Sequence, residues 1–346
     1  MVIQGPVGEI QQLAKQGTLI FVPTHLSNFD SVIFGYGLNR SQLPPATYGA
    51  GKNLFTNPML SFFMHNLGAY RVDRRIKHGL YKSVLKAYSS VLIERGFHSL
   101  FFPGGTRSRS GAVEEKLKLG LAGTGVEAFV RTAQRGRAQR VFFVPATINY
   151  LLTLEARTLI DDYLAEVGKS RYIIEDDEST QASRVLTLVR KLLLTEGSVV
   201  LRYGAPLDPF GNRVTPDGRS LDARGRSVDP LTYVTRNGVP VLDAARDGQY
   251  TRELGEVITK VYARETVLLS THLVAGAVFT KLRETYPRED LFTLLRHRDE
   301  VRIPRLELAH AVGELRDRVR DLEDQGKIVL GPGVRRRGAI ELLDEA

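Results

Sequence analysis

The sequence predicts an α/β fold, a mixed sheet flanked by helices, followed by a mainly helical C-terminal region. Short apolar runs typical of strands alternate with helical periodicity up to about residue 203, glycine and proline cluster between residues 204 and 248, and helical periodicity dominates from residue 251. Such alternation is typical of helices packed on a sheet. We therefore expect a domain at residues 1–205, a Gly/Pro-rich linker or loop insertion at 206–250 and a helical region at 251–346.

The predicted strands of the first domain are short runs rich in apolar residues. They are Thr18 to Val22, Ala69 to Val72, Leu100 to Phe102, Val141 to Asn149 and Ser198 to Tyr203. Helices are expected after Asn28, over Gly79 to Glu94 and near Leu119 to Ala133. Within the second of these helices, apolar residues recur at spacings of three and four, which predicts a face buried in the core rather than a lipid groove. These residues are Tyr81, Val84, Leu85, Tyr88, Val91 and Leu92.

The sequence predicts turns and then helices for the remainder of the chain. Between residues 204 and 248, motifs such as Asp217-Gly218-Arg219 predict β-turns with solvated charges. The predicted C-terminal helices are Thr251 to Ala263, Thr266 to Leu282, Leu291 to Arg296 and Leu306 to Gln325. Residues 326–342 are expected to form a small hairpin, which is the outline of a winged helix. A DNA-binding alternative therefore places Arg335 to Arg337 at the hairpin tip.

Composition narrows the range of functions. The formal charge is +9 and the sequence pI is about 9.7, which suits nucleic acid, an anionic membrane surface, or acidic small substrates and carriers. The absence of cysteine excludes disulfides and thiolate chemistry and fits a reducing cytoplasm. No signal peptide, transmembrane segment, Walker loop, dinucleotide fingerprint or metal-ligand spacing is recognisable, so no metal, ATP or NAD is expected.

The most informative segment runs from Pro23 to Asp30, directly after the first predicted strand. It places His25 and Asp30 five residues apart, so that the carboxylate can return to the imidazole after about one helical turn. A histidine held in this way is a general base. Because no covalent nucleophile accompanies it, the pattern favours transfer to a substrate hydroxyl.

A second cluster of polar residues follows the strand that ends near Phe102. Its glycines, Gly104 and Gly105, let the backbone approach a ligand. Arg107 and Arg109 are separated by one residue, so both guanidinium groups can point to one side and bind a phosphate.

Four ordered blocks resemble the motifs of the glycerolipid acyltransferases, most closely the glycerol-3-phosphate acyltransferases. They are His25-x4-Asp30, the run Gly68 to Arg75, a third block from Phe102 to Gly111 with an extension through Gly120, and Val144-Pro145-Ala146. The resemblance covers roughly residues 18 to 150. It implies an acyltransferase-like α/β fold, with His25 as the base and Asp30 orienting it.

The resemblance also implies the substrates and their binding residues. The acyl donor would be acyl-CoA or acyl carrier protein, and the acceptor glycerol 3-phosphate would yield lysophosphatidate. The reaction would take place at the cytoplasmic face of a membrane. Neither a bound cofactor nor nucleic acid as a partner is expected. The residues implied in substrate binding are Lys52, Arg74, Gly105, Thr106, Arg107, Arg109 and Lys118. Backbone N–H groups of Gly104, Gly105 and Thr106 are candidate oxyanion donors.

One position departs from the family pattern. Many members have a glutamate, thought to help hold the glycerol hydroxyls, where this chain has Gly104. The departure leaves three alternatives: a different acceptor, a compensating side chain from elsewhere, or a weaker enzyme. The competing functions are therefore acylation of lysophosphatidate or, from another class, lipid or nucleic-acid binding without catalysis. Larger relatives have an additional N-terminal domain, so the short segment before His25 is expected to mean a compact form or an incomplete start.

Overall fold

The structure is a computed structural model. It describes residues 1–27, 29–55, 61–62, 64, 66, 68–73, 75–76, 78–105, 107–108, 111–136, 140–153, 199–289 and 302–346. Within these residues, no helix combines the length and the apolar character that a membrane crossing requires.

A seven-stranded mixed sheet organises the first domain. Its strands are β1 (Val2–Gln4), β2 (Gly17–Pro23), β3 (Thr47–Gly51), β4 (Ala69–Val72), β5 (Ser99–Leu100), β6 (Arg140–Tyr150) and β7 (Val199–Tyr203), in the order β1-β7-β6-β2-β5-β3-β4. The strands from β2 to β6 are mutually parallel. The β7 strand is antiparallel to β6 and pairs in parallel with β1. The carboxyl ends of β2 to β6 therefore meet at one edge, where ligands commonly bind in open α/β sheets.

Side chains that alternate along β2 enter two hydrophobic clusters, one on each face of the sheet. Leu19 and Phe21 belong to a cluster that includes residues of α1 (Val7–Ala14) and α2 (Asp30–Arg40). Ile20 and Val22 belong to the other cluster, which includes residues of α3 (Gly79–Glu94), α4 (Ala122–Gln134) and α5 (Ala244–Glu265). Helices thus flank the sheet on both faces, and the predicted α/β class is confirmed.

Most predicted elements of the first domain are present, but three were missed. The β4 strand and the α3 helix have the predicted bounds, and the other strands differ by one or two residues at an end. The sequence did not indicate β1, α1 or β3. The β3 strand reads Thr-Tyr-Gly-Ala-Gly, whose glycines carry little strand preference.

The predicted burial of the apolar stripe on α3 is wrong. Val84, Tyr88 and Val91 are 56%, 47% and 43% exposed, and Leu80 on the same side is 69% exposed. The helix instead buries its polar C-terminal half, where Ser89 Oγ lies 3.1 Å from Thr124 Oγ1 of α4. Burial of Ser90, Ile93 and Glu94 completes this contact face, and Glu94 pairs with Arg135. Polar pairing with α4 therefore decides which side of α3 faces the core.

The segment between β7 and α5 consists of hairpins packed on the second hydrophobic cluster. Its short strands are β8 (Arg213–Val214), β9 (Ser220–Leu221), β10 (Ser227–Val228), β11 (Thr235–Arg236) and β12 (Val239–Pro240). Leu207, Phe210 and Val234 are buried in that cluster. In the exposed turns, Asp217 accepts a hydrogen bond from Arg219 at 2.6 Å, as expected of solvated charge.

The C-terminal region is mainly helical and ends differently from the prediction. After α5 come β13 (Val267–Leu268), α6 (Ser270–Thr285), α7 (Arg305–Asp324), β14 (Val329–Leu330), α8 (Pro332–Arg336) and α9 (Ala339–Glu345). The helix predicted at Leu291 to Arg296 lies outside the described residues.

The predicted C-terminal hairpin is wrong. The β14 strand pairs in parallel with β13, and the two short helices α8 and α9 follow. Pro332 occupies the first turn of α8, where its fixed φ favours a helix, and Gly338 precedes α9 and donates its N–H to Glu341. Arg335 and Arg336 belong to α8, and Arg335 pairs with Glu323. The run Arg335 to Arg337 is therefore not a hairpin tip, and the DNA-binding alternative loses its basis.

Candidate active site

The loop that carries His25 starts at the carboxyl end of β2 and is fixed to the neighbouring strand β6. Thr24 donates its N–H to Ala146 O at 3.0 Å, and Thr24 Oγ1 accepts the N–H of Ile148 at 3.1 Å. Asp30 is the first residue of α2. A carboxylate at a helix N-terminus is favoured by the helix dipole, so the local fold places an anion beside His25.

The structure brings His25 and Asp30 together. His25 Nδ1 lies 2.7 Å from Asp30 Oδ2, which also accepts the N–H groups of Leu26 at 2.6 Å and Ser27 at 2.9 Å. Tyr150 at the end of β6 donates its hydroxyl to Asp30 Oδ1 at 2.6 Å. An ionised carboxylate can only accept, so Nδ1 carries the proton and Nε2 is the basic nitrogen. This arrangement is one in which an imidazole oriented by a buried carboxylate can act as a general base.

The third block packs directly on His25. The ring of Phe102 stacks on the imidazole, with centroids 4.3 Å apart and an interplanar angle of 24°. Ser108 donates its N–H to His25 O at 2.8 Å, and His25 donates its own N–H to Glu114 Oε1 at 2.8 Å. Both polar groups of the His25 main chain are therefore held by the block that resembles a phosphate-binding motif.

The glycine turn of the third block is held by its own hydrogen bonds. Gly105 has φ +75° and donates its N–H to Phe102 O at 3.1 Å. This bond excludes the Gly105 N–H as an oxyanion donor in the present conformation. A Cβ on Gly105 would lie 2.4 Å from Lys118 Cδ and 2.8 Å from Lys118 Nζ. A glycine is required here both for its φ and because the Lys118 side chain crosses over the turn.

Glu114 places a second carboxylate beside the His25 loop. Burial raises the pKa of Glu114 above the ordinary range for glutamate, while the hydrogen bond from His25 N–H and the charge of His25 act in the opposite direction. The charge of Asp30 adds to the increase. Glu114 is thus coupled electrostatically to both members of the pair.

Comparison with known proteins finds similarity to acyltransferases. Residues 6–149 match the family model described as Acyltransferase. Similar curated proteins include the glycerol-3-phosphate acyltransferases of Pseudomonas paraeruginosa (strain PA7), 29% identical over 210 residues, and Pseudomonas fluorescens (strain Pf0-1), 28% identical over 199 residues. Residues 6–149 are therefore similar to the acyltransferase family. These alignments cover 60% and 57% of this chain but only 23% and 22% of the two relatives, so the match spans less than a quarter of their length.

A solved structure is also similar. It is the 1-acyl-sn-glycerophosphate (LPA) acyltransferase from Thermotoga maritima, with a TM-score of 0.33 and 17% sequence identity over 60% of this chain and 62% of that one.

The other residues predicted in substrate binding fall at the same sheet edge or outside the described residues. Lys52 follows β3, is 70% exposed and lies 3.5 Å from Asp73, which follows β4. Arg107 is half-buried and directly precedes Ser108, whose N–H binds His25 O. Thr106, Arg74 and Arg109 lie outside the described residues.

Sequence analysis did not predict three residues of this site. Tyr150 is 120 positions from Asp30 and Glu114 is 89 positions from His25, so no local pattern links them. Phe102 lies at the end of a predicted strand. Its position next to the glycine turn was the one sequence feature that could have indicated a contact with the site. The neighbouring hydroxyls serve turns: Ser108 Oγ donates to Ala112 O at 2.9 Å, and Ser27 Oγ accepts the Phe29 N–H at 3.1 Å.

Proposed function

We propose that the chain transfers a fatty acyl group from an acyl thioester, acyl-CoA or acyl carrier protein, to glycerol 3-phosphate and so produces lysophosphatidate. The observation that carries this proposal is the His25–Asp30 pair at the sheet edge, with the arginine-containing third block bound to the His25 main chain. The pair supplies a base, and the block supplies cations for a phosphorylated acceptor.

The proposed reaction is a direct transfer without an acyl-enzyme. His25 Nε2 removes the proton from the acceptor hydroxyl as its oxygen attacks the thioester carbonyl. The tetrahedral intermediate then collapses, the C–S bond breaks, and the leaving thiolate takes the proton from His25. Asp30 keeps Nδ1 protonated and stabilises the positive charge that the ring carries between these steps.

The choice of acceptor is supported by charge and by the names of the relatives. Arg107 and Lys118 belong to the block whose main chain contacts His25, and the positive charges of such a block suit a phosphate dianion. Arg74 and Arg109 are proposed as further phosphate ligands from their positions in the sequence. The two Pseudomonas relatives are named glycerol-3-phosphate acyltransferases.

We further propose that the enzyme works at a membrane surface as a peripheral protein. Leu80, Val84, Tyr88 and Val91 of α3 are spaced by four, four and three residues and therefore form one apolar stripe, which is exposed. An exposed apolar stripe together with a formal charge of +9 suits an anionic lipid surface.

The membrane proposal is tested with vesicles that contain anionic lipid. We expect Leu80→Ser/Val84→Ser to weaken vesicle binding by at least about tenfold, and rising salt to weaken the binding of the wild type. Thr232→Ser on the exposed middle segment serves as the control. Unchanged binding by the stripe variant would remove α3 as the contact.

The proposed reaction is tested by measuring acyl transfer from both donors to glycerol 3-phosphate and, separately, to lysophosphatidate. We expect turnover with glycerol 3-phosphate. Turnover with lysophosphatidate alone would assign the second acylation step instead. Absence of turnover with either acceptor would contradict the proposed function.

A further inference from the structure

Glu114 occupies the space beside Gly104. An ideal Cβ built on Gly104 would lie 3.1 Å from both Cγ and Oε1 of Glu114. Gly104 is not among the glycines with positive φ, in contrast to Gly105, so its backbone would accept a side chain if that space were empty. The glycine at 104 and the glutamate at 114 therefore fit one another, and a side chain at 104 would press on Glu114 in its present position.

The same carboxylate holds the His25 loop. Oε1 accepts the His25 N–H at 2.8 Å, and Ser108 N–H binds the His25 carbonyl oxygen. The second oxygen, Oε2, is buried, and no residue in the described part of the chain hydrogen-bonds to it. A buried carboxylate oxygen without a hydrogen bond costs stability.

We propose that Glu114 is a positioning residue for His25 and that it supplies, from ten positions later in the chain, the carboxylate that a side chain at 104 would supply. Of the three alternatives left open by Gly104, the contact favours a compensating side chain. The effect of Glu114 on rate rests on the proposed acyl transfer, whereas its hold on His25 does not.

The proposed exchange of the carboxylate between positions 104 and 114, called the swap below, is tested with five variants of the full chain. They are Glu114→Ala, Glu114→Gln, Gly104→Glu, the double variant Gly104→Glu/Glu114→Ala, and the exposed neighbour Glu115→Ala as the matched control. We expect Glu114→Ala to lower kcat about 10- to 100-fold while KM for the acyl donor changes less than about threefold, because misplacing the base affects the reacting step rather than donor binding. Glu114→Gln keeps an acceptor oxygen for the His25 N–H, and we expect a smaller loss.

The double variant decides between a swap and a general loss of structure. Gly104→Glu alone should lower kcat at least about tenfold, because its side chain meets Glu114. In the Glu114→Ala background the same substitution should raise kcat by about tenfold over Glu114→Ala alone. A double variant no better than either single variant, or a Glu114→Ala enzyme within about twofold of the wild type, would overturn the proposal.

A spectroscopic measurement separates this inference from the proposed function. Protein labelled with ¹⁵N-histidine gives amide signals from seven histidines, and the His25 signal is assigned by its absence in His25→Ala. We expect Glu114→Ala to shift the His25 amide signal far more than the other six, and Glu115→Ala to leave all seven in place. If the wild type turns over no acceptor yet the His25 signal still responds, the reaction is wrong and the placement of Glu114 stands. An unmoved His25 signal would contradict the placement itself.

Discussion

Replacing Asp30 with asparagine should abolish most of the activity while the site keeps its hydrogen bonds. Asp30 Oδ2 accepts three donors, from His25 Nδ1 and the N–H groups of Leu26 and Ser27, and Oδ1 accepts the Tyr150 hydroxyl. An asparagine carbonyl can replace Oδ2. Its amide can then donate to the Tyr150 hydroxyl, which is able to accept. The geometry is therefore retained and the charge is lost.

The magnitudes follow from the charge. A hydrogen bond to an ionised group contributes about 1.5–3 kcal/mol and a neutral one about 1 kcal/mol, so the three bonds to Oδ2 weaken by about 1.5–6 kcal/mol in total. We expect Asp30→Asn to lower the free energy of unfolding by about this amount. The transient charge on His25 loses its stabilising anion, for which a loss of roughly 10²–10⁴ in kcat is expected.

The assay uses the absence of cysteine. Because the chain has no thiol, a thiol reagent reports the coenzyme A released from acyl-CoA without background from the protein, and urea unfolding reports stability. Tyr150→Phe is the matched control. It removes one bond to Asp30, should cost about 1.5–3 kcal/mol and should lower kcat less than about tenfold. A folded Asp30→Asn enzyme whose kcat stays within about tenfold of the wild type would refute the role given to Asp30.

Further expectations concern the phosphate site, the surface and pH. Arg107→Ala should raise KM for glycerol 3-phosphate at least about tenfold with little change in kcat. Arg224→Ala on an exposed turn should change neither. If steady-state kinetics gives Arg107→Ala the same KM as the wild type, Arg107 is not part of the phosphate site. Lys52→Ala breaks an exposed pair with Asp73 and should change the free energy of unfolding by less than about 1 kcal/mol; a larger loss in urea unfolding would show that the pair is structural. Burial raises the pKa of Glu114, so the folded protein binds this proton more tightly than the unfolded chain does. The stability of the wild type should therefore fall relative to Glu114→Gln as the pH rises through the raised pKa, and a stability difference independent of pH would contradict the direction of that shift.

The sequence predicted five of the seven strands of the sheet and the contact between His25 and Asp30, because these are local features. Apolar runs mark β2, β4 and β6, and the spacing of His25 and Asp30 places them across a single turn that begins α2. The contacts that complete the site join distant segments, as with Tyr150 and Asp30, and no periodicity reveals them. The direction in which α3 faces was mispredicted because hydrophobic periodicity finds a stripe but not what covers it. Here Ser89 and Glu94 meet α4, and the stripe faces outward.

The most direct test of the account is the rate of acyl transfer to glycerol 3-phosphate by His25→Ala compared with the wild type, at saturating donor and acceptor. The account predicts that kcat falls by at least about 10³-fold, with the variant still folded and still binding the acyl donor. A His25→Ala enzyme that keeps kcat within about tenfold of the wild type would show that another group removes the proton and would contradict the central claim.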